Sequence, residues 1–375
     1  MAKFTFGQIA KEVRLTYNGD KTDIPIVGLE HIVPKELTVT NYDINTNNTF
    51  TKSFKKGQIL FGRRRAYQHK AAIATFNGIC SGDITVIEPI EGMVYPALLP
   101  FIVQNDAFFS HAVQGSAGSL SPRVKWEHLS SYEIELPSIE EQRVLAEKLW
   151  AAYRLKESYK RLLAATDEMV KSQFIEMFGN PLSSKQKNEL KKLGECCCIN
   201  PRRPNITLHD TDKVSFVPMS AVSEDGHLLD ILDEEYGKVK KGFTYFENND
   251  VLFAKITPCM ENGKGAIAQG LTNGIGMGST EFHVLRPINE ISSPYWLLAL
   301  TQMPVFRERA AKNMSGTGGQ KRVAAAYLEH FMVGVPSIEE QRHFEAIYKQ
   351  ADKSKFELRK SIDAIDQVIK SLING

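Results

Sequence analysis

The feature that most constrains this chain is an eight-residue phrase that occurs twice. It reads LPSIEEQR at Leu136–Arg143 and VPSIEEQR at Val335–Arg342, so the copies lie 199 positions apart. Weaker similarity at the same offset precedes both copies, where Ser116–Gly118 resembles Ser315–Thr317. A repeat of this length indicates that a whole domain was duplicated, rather than a solenoid of short periods.

Both phrases have the sequence of a helix start. Ser138 can cap the helix while Glu141, three residues later, reaches back to it, and Ser337 and Glu340 repeat this capping box. Apolar residues then follow at steps of three and four, which is typical of a coiled coil. Each helix would span roughly 36–40 residues, or about 55–60 Å. We interpret the two helices as an antiparallel coiled coil within one chain; the alternatives are helices that lie across a core and homodimerisation.

This spacing predicts which residues form the apolar stripe of each helix. The first helix is predicted to end at Gly179-Asn180-Pro181, and its stripe is predicted to include Leu145, Leu149, Leu162 and Met169. The stripe of the second helix is predicted at Phe344, Ile347 or Tyr348, Ala351, Lys355, Leu358, Ile362, Ile365, Ile369 and Leu372.

The length of 375 residues favours two or three domains. Short alternating runs, such as Gln58–Phe61 and Val251–Phe253, lie between glycine and asparagine turns, and helical patches follow them. We therefore predict an α+β fold with two similar domains joined by two long, paired helices. The predicted boundaries are 1–136 for domain 1, 137–185 for the central helix, 186–335 for domain 2 and 336–375 for the C-terminal helix.

Bulk properties exclude several classes of protein. No apolar run approaches the roughly 18 residues of a membrane span, and the first residues lack the core of a signal peptide. The five cysteines, including the adjacent Cys196, Cys197 and Cys198, match neither a disulfide framework nor metal-ligand spacing. We therefore expect no metal site and a cytoplasmic location.

A search for catalytic motifs finds none that is complete. The run Asn262–Gly265 lacks the upstream glycine and the final Ser/Thr of a Walker A loop, and there is no GxSxG or HExxH string. The chain also lacks the NPPY or DPPY string that amino-methyltransferases use. Gly274–Gly278 is rich in glycine like a nucleotide loop, but no strand–helix context surrounds it, so we predict a turn between strands.

The remaining signal is local positive charge, because the net charge is only +2. Basic and amide residues recur at two corresponding places in each module. The candidate DNA-binding residues are Arg63, Arg64, Arg65, Tyr67, Gln68, His69, Lys70, Arg123 and Lys125 in module 1, and Lys255, Thr257, Asn262, Lys264, Ser279, Thr280, Gln320, Lys321 and Arg322 in module 2.

These residue types suit the reading of duplex DNA. Arginine can bond guanine at two atoms, asparagine or glutamine can do the same with adenine, and lysine suits phosphates. The residues differ between modules, with Arg63-Arg64-Arg65 opposite Lys255-Ile256-Thr257. This difference indicates two modules of one fold that read different targets. The alternative is ordinary solvated surface charge.

At this point the chain resembles a known family, the specificity subunits of type I restriction–modification systems. The similarity covers essentially the whole chain. It is carried by the two phrases at Leu136–Arg143 and Val335–Arg342, and by the module 2 runs Asn249–Ile256, Gly278–Phe282 and Gly316–Arg322. Module 1 departs from the fuller pattern where Arg63-Arg64-Arg65 stands.

The resemblance implies a non-catalytic subunit that binds a bipartite double-stranded DNA site, with one half-site per domain. It implies two adenine-methyltransferase (modification) subunits and, through the complex, restriction and translocase subunits as partners. The chain itself would hold no cofactor, since S-adenosylmethionine, ATP and magnesium would be bound by partners. The helices would set the length of the unread spacer.

Two other functions stay open on the sequence. One is a catalytic methyltransferase or nuclease with an unrecognised site. The other is a coiled-coil scaffold with incidental basic loops.

Overall fold

The structure is a computed structural model that describes residues 2–116, 121–180, 188–229, 231–317 and 319–374. The chain divides into two compact units: unit 1 is formed by residues 1–160 and 360–375, and unit 2 by residues 161–359. The repeat residues Ala117 and Gly118, and Pro181 of the predicted helix end, lie outside the described residues, as does the predicted boundary at 185/186.

Unit 1 is a mixed fold in which short helices cover small sheets. Its strands are β1 (Ala2–Thr5), β2 (Ala10–Val13), β3 (Ile26–Val27), β4 (Thr38–Val39), β5 (Lys52–Phe54), β6 (Ile59–Gly62), β7 (Ala71–Ala74), β8 (Gly78–Cys80), β9 (Ile84–Pro89) and β10 (Glu133–Leu136). Its short helices are α1 (Phe6–Ile9), α2 (Leu99–Gln104), α3 (Asp106–Gln114) and α4 (Trp126–Ser130), and α5 (Ile139–Phe178) begins in this unit.

Three sheets organise unit 1. The largest has the order β2-β9-β6-β7-β4, the second has the order β3-β8-β5, and β1 pairs with β10. The strands are short and rich in aliphatic residues; β6 is buried along its whole length, which is expected of a strand covered on both faces. A core around Phe6, Phe61, Phe101, Phe108 and Phe109 joins the large sheet to the helices.

Unit 2 has the same plan. Its strands are β11 (Glu189–Lys192), β12 (Cys197–Ile199), β13 (Lys213–Val217), β14 (Leu232–Glu235), β15 (Thr244–Glu247), β16 (Val251–Ala254), β17 (Gly265–Ile267), β18 (Ile275–Gly278), β19 (Phe282–Pro287) and β20 (Met332–Val335). Its helices are α6 (Leu193–Cys196), α7 (Tyr236–Val239), α8 (Pro294–Gln302), α9 (Pro304–Lys312) and α10 (Ala325–Glu329), and α11 (Ile338–Asn374) begins in this unit.

The strand orders confirm the duplication. The sheets of unit 2 run β12-β19-β16-β17 and β14-β13-β18-β15, with β11 paired to β20. These reproduce the unit 1 orders β2-β9-β6-β7, β3-β8-β5 and β1-β10, apart from one added edge strand in each unit. The α+β prediction is therefore confirmed.

The prediction that Gly274–Gly278 forms a turn is wrong for most of its length. Ile275–Gly278 is strand β18, which lies between β13 and β15. The glycines make room for an aromatic ring, because a Cβ on Gly276 would lie 2.0 Å from the ring of its cross-strand partner Phe246. An aromatic side chain that covers a strand glycine compensates for the missing side chain.

Both phrases begin a long helix as predicted. The Ser138 backbone N–H and hydroxyl both donate to the Glu141 carboxylate, at 2.9 and 2.7 Å. Ser337 and Glu340 repeat this arrangement at 3.0 and 2.8 Å. The capping boxes stabilise α5, of 40 residues, and α11, of 37 residues.

Each unit contains one segment of each long helix, and the segments pair antiparallel. In unit 2, Phe174 and Phe178 of α5 pack against Phe344 of α11, and Lys355 binds Asp167 at 2.9 Å. In unit 1, Lys156 binds Asp366 at 2.6 Å. The two ion pairs join corresponding positions of the repeat, 199 residues apart. The predicted antiparallel coiled coil is therefore confirmed within each unit.

The stripe predicted for α5 is displaced by about one residue. Ala146, Leu149, Tyr153, Val170 and Phe174 are buried, whereas the predicted Leu162 and Met169 are 52% and 46% exposed. Charged residues cause the error, because Lys156 and Asp167 occupy positions in the buried stripe. The α11 prediction holds at Phe344, Tyr348, Ala351 and Lys355, all of which are buried.

The cysteine triplet lies at the junction of α6 and β12. The thiols of Cys196 and Cys197 are buried and donate to the carbonyls of Lys192 and Leu193 at 3.4 Å. Burial raises the pKa of Cys196 to about 11 and also raises that of Cys197. Within the described ranges, no group of three or more His, Cys, Asp or Glu residues could hold a metal ion. The same ranges contain no helix long and apolar enough to cross a membrane.

Candidate nucleic-acid interface

In unit 1, three chain segments meet around basic loop 1, which is residues 63–70 between β6 and β7. The Arg63 N–H donates to the Asp83 carbonyl at 2.9 Å, and the Arg63 carbonyl accepts from the Val124 N–H at 2.9 Å. The Arg65 N–H donates to the Pro122 carbonyl at 2.9 Å. The structure thus brings the two predicted basic places of module 1, residues 63–70 and 123–125, into one cluster.

Unit 2 forms the same cluster around basic loop 2, which is residues 255–264 between β16 and β17. The Lys255 N–H donates to the Glu281 carbonyl at 2.9 Å, and the Lys255 carbonyl accepts from the Val323 N–H at 2.9 Å. The Thr257 N–H donates to the Lys321 carbonyl at 3.0 Å. The predicted residues of module 2 are therefore also gathered in one place.

Each cluster contains an arginine that is paired with a carboxylate. Arg322 donates to both oxygens of Glu281 at 2.8 Å. Arg123 donates to Asp83 at 2.7 and 3.3 Å, and Arg64 reaches the same carboxylate at 3.4 Å. The hydrogen bond from each arginine, Arg322 or Arg123, lowers the pKa of its partner carboxyl. These guanidinium groups already have a structural partner, which sequence alone did not indicate.

The last lysine of each basic loop is also engaged. The Lys70 ammonium donates to the Leu29 carbonyl at 2.7 Å, and the Lys264 ammonium donates to the Met219 carbonyl at 3.4 Å. Leu29 and Met219 are the first residues of corresponding 3-10 turns. Both lysines therefore attach a loop to the body of their unit.

Three further candidates have partners within the unit. The His69 ring stacks on Phe109 with centroids 4.4 Å apart. The Asn262 amide donates to Glu224 at 2.9 Å. The Thr257 hydroxyl donates to the Lys321 carbonyl at 3.3 Å.

The other candidates form the outer surface of the clusters. In unit 1, Arg65, Tyr67 and Lys125 are exposed and Gln68 is half-buried. In unit 2, Thr280, Gln320 and Lys321 are exposed, and Lys255 and Ser279 are half-buried. Arg65 holds a left-handed backbone conformation with φ of 55°, where it begins the 3-10 turn Ala66–Gln68. The DNA-binding role of all these residues stays a prediction.

Sequence reasoning missed one feature of unit 1, a cleft beside basic loop 1. Its volume is about 780 Å³. Arg63 and Lys125 line it, together with Arg14 and Lys52 from distant parts of the chain. No local motif connects these residues, because only the fold brings them together.

The chain is similar in sequence to a described protein family and to two proteins of Escherichia coli. The profile of a family described as "Type I restriction modification DNA specificity domain" matches residues 8–165 and 185–367. The specificity subunit of the type I restriction enzyme EcoAI from Escherichia coli is 36% identical over 178 residues, which are 45% of this chain and 30% of that protein. The EcoEI specificity subunit from Escherichia coli is 34% identical over 188 residues, 48% of this chain and 31% of that protein. Each alignment thus spans under a third of the relative's length.

Two solved structures share the fold. A chain from a study described as "Structural basis underlying complex assembly and conformational transition of the type I R-M system" has a TM-score of 0.55 and 16% identity, and the match covers 100% of this chain and 96% of that one. The type I restriction-modification system S subunit from M. genitalium has a TM-score of 0.57 and 13% identity, with 99% and 94% covered. At these identities the likeness concerns the fold alone.

Proposed function

The chain belongs to the type I restriction modification DNA specificity domain family, and on that premise we propose that it reads a bipartite duplex DNA target. Each unit binds one half-site through its basic loop cluster. The two half-sites differ in sequence, because the exposed residues of the clusters differ. Partner subunits carry out methylation or cleavage at the site that this chain selects.

The observation that carries the proposal is a repeated framework with different exposed side chains. Both clusters keep the arginine–carboxylate pair, at Arg123–Asp83 and Arg322–Glu281, and both keep the lysine that binds a 3-10 turn. The outer positions do not match: the exposed Arg65 and Tyr67 and the half-buried Gln68 of unit 1 correspond to no similar run in unit 2. A scaffold has no need for such a difference, whereas two readers of unlike sequences require it.

The exposed residue types suit the chemistry of base edges. Arg65 and Gln68 in unit 1, and Gln320 and Lys321 in unit 2, offer the donors and acceptors that discriminate guanine and adenine in the major groove. A good bidentate contact is worth about 1–3 kcal/mol of discrimination against the wrong base. The paired arginines Arg123 and Arg322 hold these groups in position.

The partners and cofactors follow from the family. We propose that two modification subunits bind the chain, that restriction subunits join through the complex, and that the chain itself binds no cofactor. S-adenosylmethionine, ATP and magnesium belong to the partner subunits in this proposal.

A selection experiment tests the reading of DNA. The full-length chain, with any modification subunits encoded beside it, is incubated with random duplex DNA, and the bound fraction is sequenced. The wild type should select two short motifs separated by a fixed unread spacer. Arg65→Ala combined with Gln68→Ala should erase one motif, and Gln320→Ala combined with Lys321→Ala should erase the other.

Charge-matched controls come from exposed lysines away from the clusters. Lys56 lies at the opposite end of β6 from basic loop 1, and Lys241 lies outside basic loop 2. Lys56→Ala and Lys241→Ala should leave both motifs intact. Loss of both motifs in every double variant, or no motif in the wild type, would refute the proposal.

The enzyme alternative has a direct test. The purified chain alone is assayed for methyl transfer from S-adenosylmethionine and for cleavage of DNA with magnesium. We expect no turnover without partners, and turnover would overturn the proposal.

A further inference from the structure

The cleft beside basic loop 1 has walls from separate parts of unit 1. It is lined by residues of the segments 12–16, 49–52, 63, 81–83 and 125–127. Hydrogen bonds join the outer wall, where the Tyr17 N–H donates to Thr51 at 2.6 Å and the Ser53 N–H donates to Leu15 at 2.9 Å. The inner wall is the start of basic loop 1, at Arg63.

Two of the three acidic residues that line the cleft, Glu12 and Asp83, are in ion pairs. Glu12 is paired with Arg14 at 2.8 Å. Asp83 accepts from Arg123 and Arg64, neither of which lines the cleft. Glu127 is close enough to Arg14 to raise the pKa of that guanidinium, after the larger contribution of Glu12.

The basic residues Arg63 and Lys125 of the cleft have fewer hydrogen-bond and ion-pair partners than these two carboxylates. The Nε of Arg63 is buried and has no hydrogen-bond partner among the described residues. Lys125 is exposed and forms no ion pair with the described residues. Lys52 is engaged within the unit, because its ammonium donates to the Ile84 carbonyl at 2.6 Å, and burial lowers its pKa. The cleft is therefore short of negative charge, and a buried donor with no partner is costly.

We propose that this cleft binds the sugar–phosphate backbone of DNA, with Arg63 and Lys125 on phosphate oxygens. The hydroxyls of Thr16, Thr49 and Ser81 supply further donors of the kind that contact phosphates. The occupant is DNA rather than a free anion because Arg63 is at once a cleft wall and the first residue of basic loop 1. A strand whose bases are read by Arg65 and Gln68 has its backbone beside that loop.

The inference rests on the proposed function and divides it between two sets of residues. Arg63 and Lys125 supply affinity that does not depend on sequence, while Arg65 and Gln68 supply selectivity. The charges of the cleft are specific to unit 1. Lys52 of β5 and Thr244 of β15 occupy corresponding positions in the strand registers of the two units, so unit 2 has no lysine at this place.

The test measures affinity against salt for the full-length chain on a labelled duplex that carries its selected motifs. Each phosphate contact contributes about 0.9 to the slope of log K against log salt. Arg63→Met and Lys125→Met keep the apolar stems and remove the charges. Each should flatten the slope by about 0.9 and the double variant by about 1.8, with weaker binding to all sequences and an unchanged selected motif. Lys56→Met is the matched control and should leave the slope unchanged.

A second variant leaves Arg63, whose Nε is buried, unchanged. Thr49 is exposed, so Thr49→Glu places a negative charge in the cleft with little risk to folding. It should weaken binding to every duplex, and high salt should reduce the difference from wild type. Unchanged slopes for Arg63→Met and Lys125→Met, together with unchanged affinity for Thr49→Glu, would overturn the inference while the proposed function stands.

Two other outcomes also decide against it. If inorganic phosphate raises the melting temperature of the wild type but not of the Arg63→Met variant, at constant ionic strength, and the DNA slopes stay equal, the cleft is a small-anion site. If the wild type selects no DNA motif, the proposed function fails and the inference fails with it.

Discussion

At the scale of single residues, the arginines of the basic clusters have two different roles. Arg123 and Arg322 bind Asp83 and Glu281 and so join two segments of each cluster. Arg65 is exposed on the loop. Sequence reasoning gave all of these arginines the same DNA-binding role, because a side chain of one type looks the same in sequence whether or not a carboxylate faces it.

The Asp83–Arg123 pair predicts a dependence of stability on pH. The hydrogen bond from Arg123 lowers the pKa of Asp83 in the folded state. The stabilisation is therefore present above the unfolded pKa, about 3.9, and is lost as the pH falls through the folded value. The difference in melting temperature between wild type and Asp83→Asn should be largest near neutral pH and should shrink as the pH falls below about 4. Arg123→Gln should show the same trend, and parallel curves for wild type and variants would contradict it.

The glutamine of each phrase is buried and predicts a large loss on substitution. The Gln341 side chain accepts from the Ser293 N–H at 2.8 Å and donates to the Ile291 and Pro336 carbonyls at 2.9 and 3.0 Å. Gln341→Met keeps the volume but leaves a buried N–H unpaired, which costs about 1–3 kcal/mol. Urea denaturation monitored by circular dichroism measures this.

The neighbouring residue offers a control for that measurement. Arg342 pairs with Glu290 on the surface. Exposed ion pairs contribute little, so Arg342→Met should stay close to wild type. Equal losses for the two variants would contradict the role assigned to Gln341.

At the scale of elements, the two long helices carry charge inside their apolar stripe. Lys355 is 5% exposed and lies between Asp167 at 2.9 Å and Asp352 at 3.9 Å. In unit 1 the corresponding Lys156 is 13% exposed and binds Asp366. A buried charge at a stripe position fixes the register of paired helices better than an apolar residue can, because a shifted register leaves the charge unpaired.

Removing one partner of the Lys355–Asp167 pair should destabilise the protein more than replacing both partners with apolar residues. Asp167→Asn leaves Lys355 with only the more distant Asp352, and we expect a loss of about 2–3 kcal/mol, below the range for wholly buried pairs because Asp167 is partly exposed. Lys355→Met combined with Asp167→Leu should recover much of this loss. Denaturant midpoints for the two single variants and the double variant form the necessary cycle. A double variant that is less stable than Asp167→Asn would contradict this account.

At the scale of the whole molecule, the duplication determines the two units and the helices that run through both. The division between units falls at Lys160/Arg161 in α5 and at Arg359/Lys360 in α11. Each helix therefore contributes about half its length to each unit. The halves belong to different cores, with Leu149 and Tyr153 in one and Phe174 and Phe178 in the other.

A heptad insertion tests the expected control of spacer length. Seven residues added at both divisions keep the stripe in phase and lengthen each helix by about 10 Å. At 3.4 Å per base step this corresponds to about 3 base pairs of added spacer. Methylome sequencing in a host that carries the modification subunits should show the longer spacer with unchanged half-sites. Seven residues inserted in the exposed turn at Glu91-Gly92, away from the clusters and the cleft, should leave the spacer unchanged. An unaltered spacer after the helix insertions would contradict the hypothesis.

The features that sequence predicted correctly are those encoded by neighbours along the chain. The capping boxes at Ser138 and Ser337 join atoms three residues apart, and a copied domain leaves a copied phrase. Strand β18 was missed because its Gly276 leaves room for the ring of Phe246, which is thirty residues away in the sequence. The stripe of α5 was displaced because Lys156 and Asp167 occupy stripe positions, where each forms an ion pair with a residue of α11.

The sequence by itself determined the duplication, the α+β class, the two long helices and the family. A repeat is visible because the sequence resembles itself. Capping boxes and heptads are visible because hydrogen-bond spacing and helix periodicity fix the distance in sequence between the residues that form them. Only the tertiary structure decided which cations are already paired, which remain exposed, and that Arg63, Lys125 and Lys52 share one cleft. Ion pairs such as Arg322–Glu281 join residues forty or more positions apart, and no periodicity encodes the carboxylate that a folded chain places opposite a given arginine.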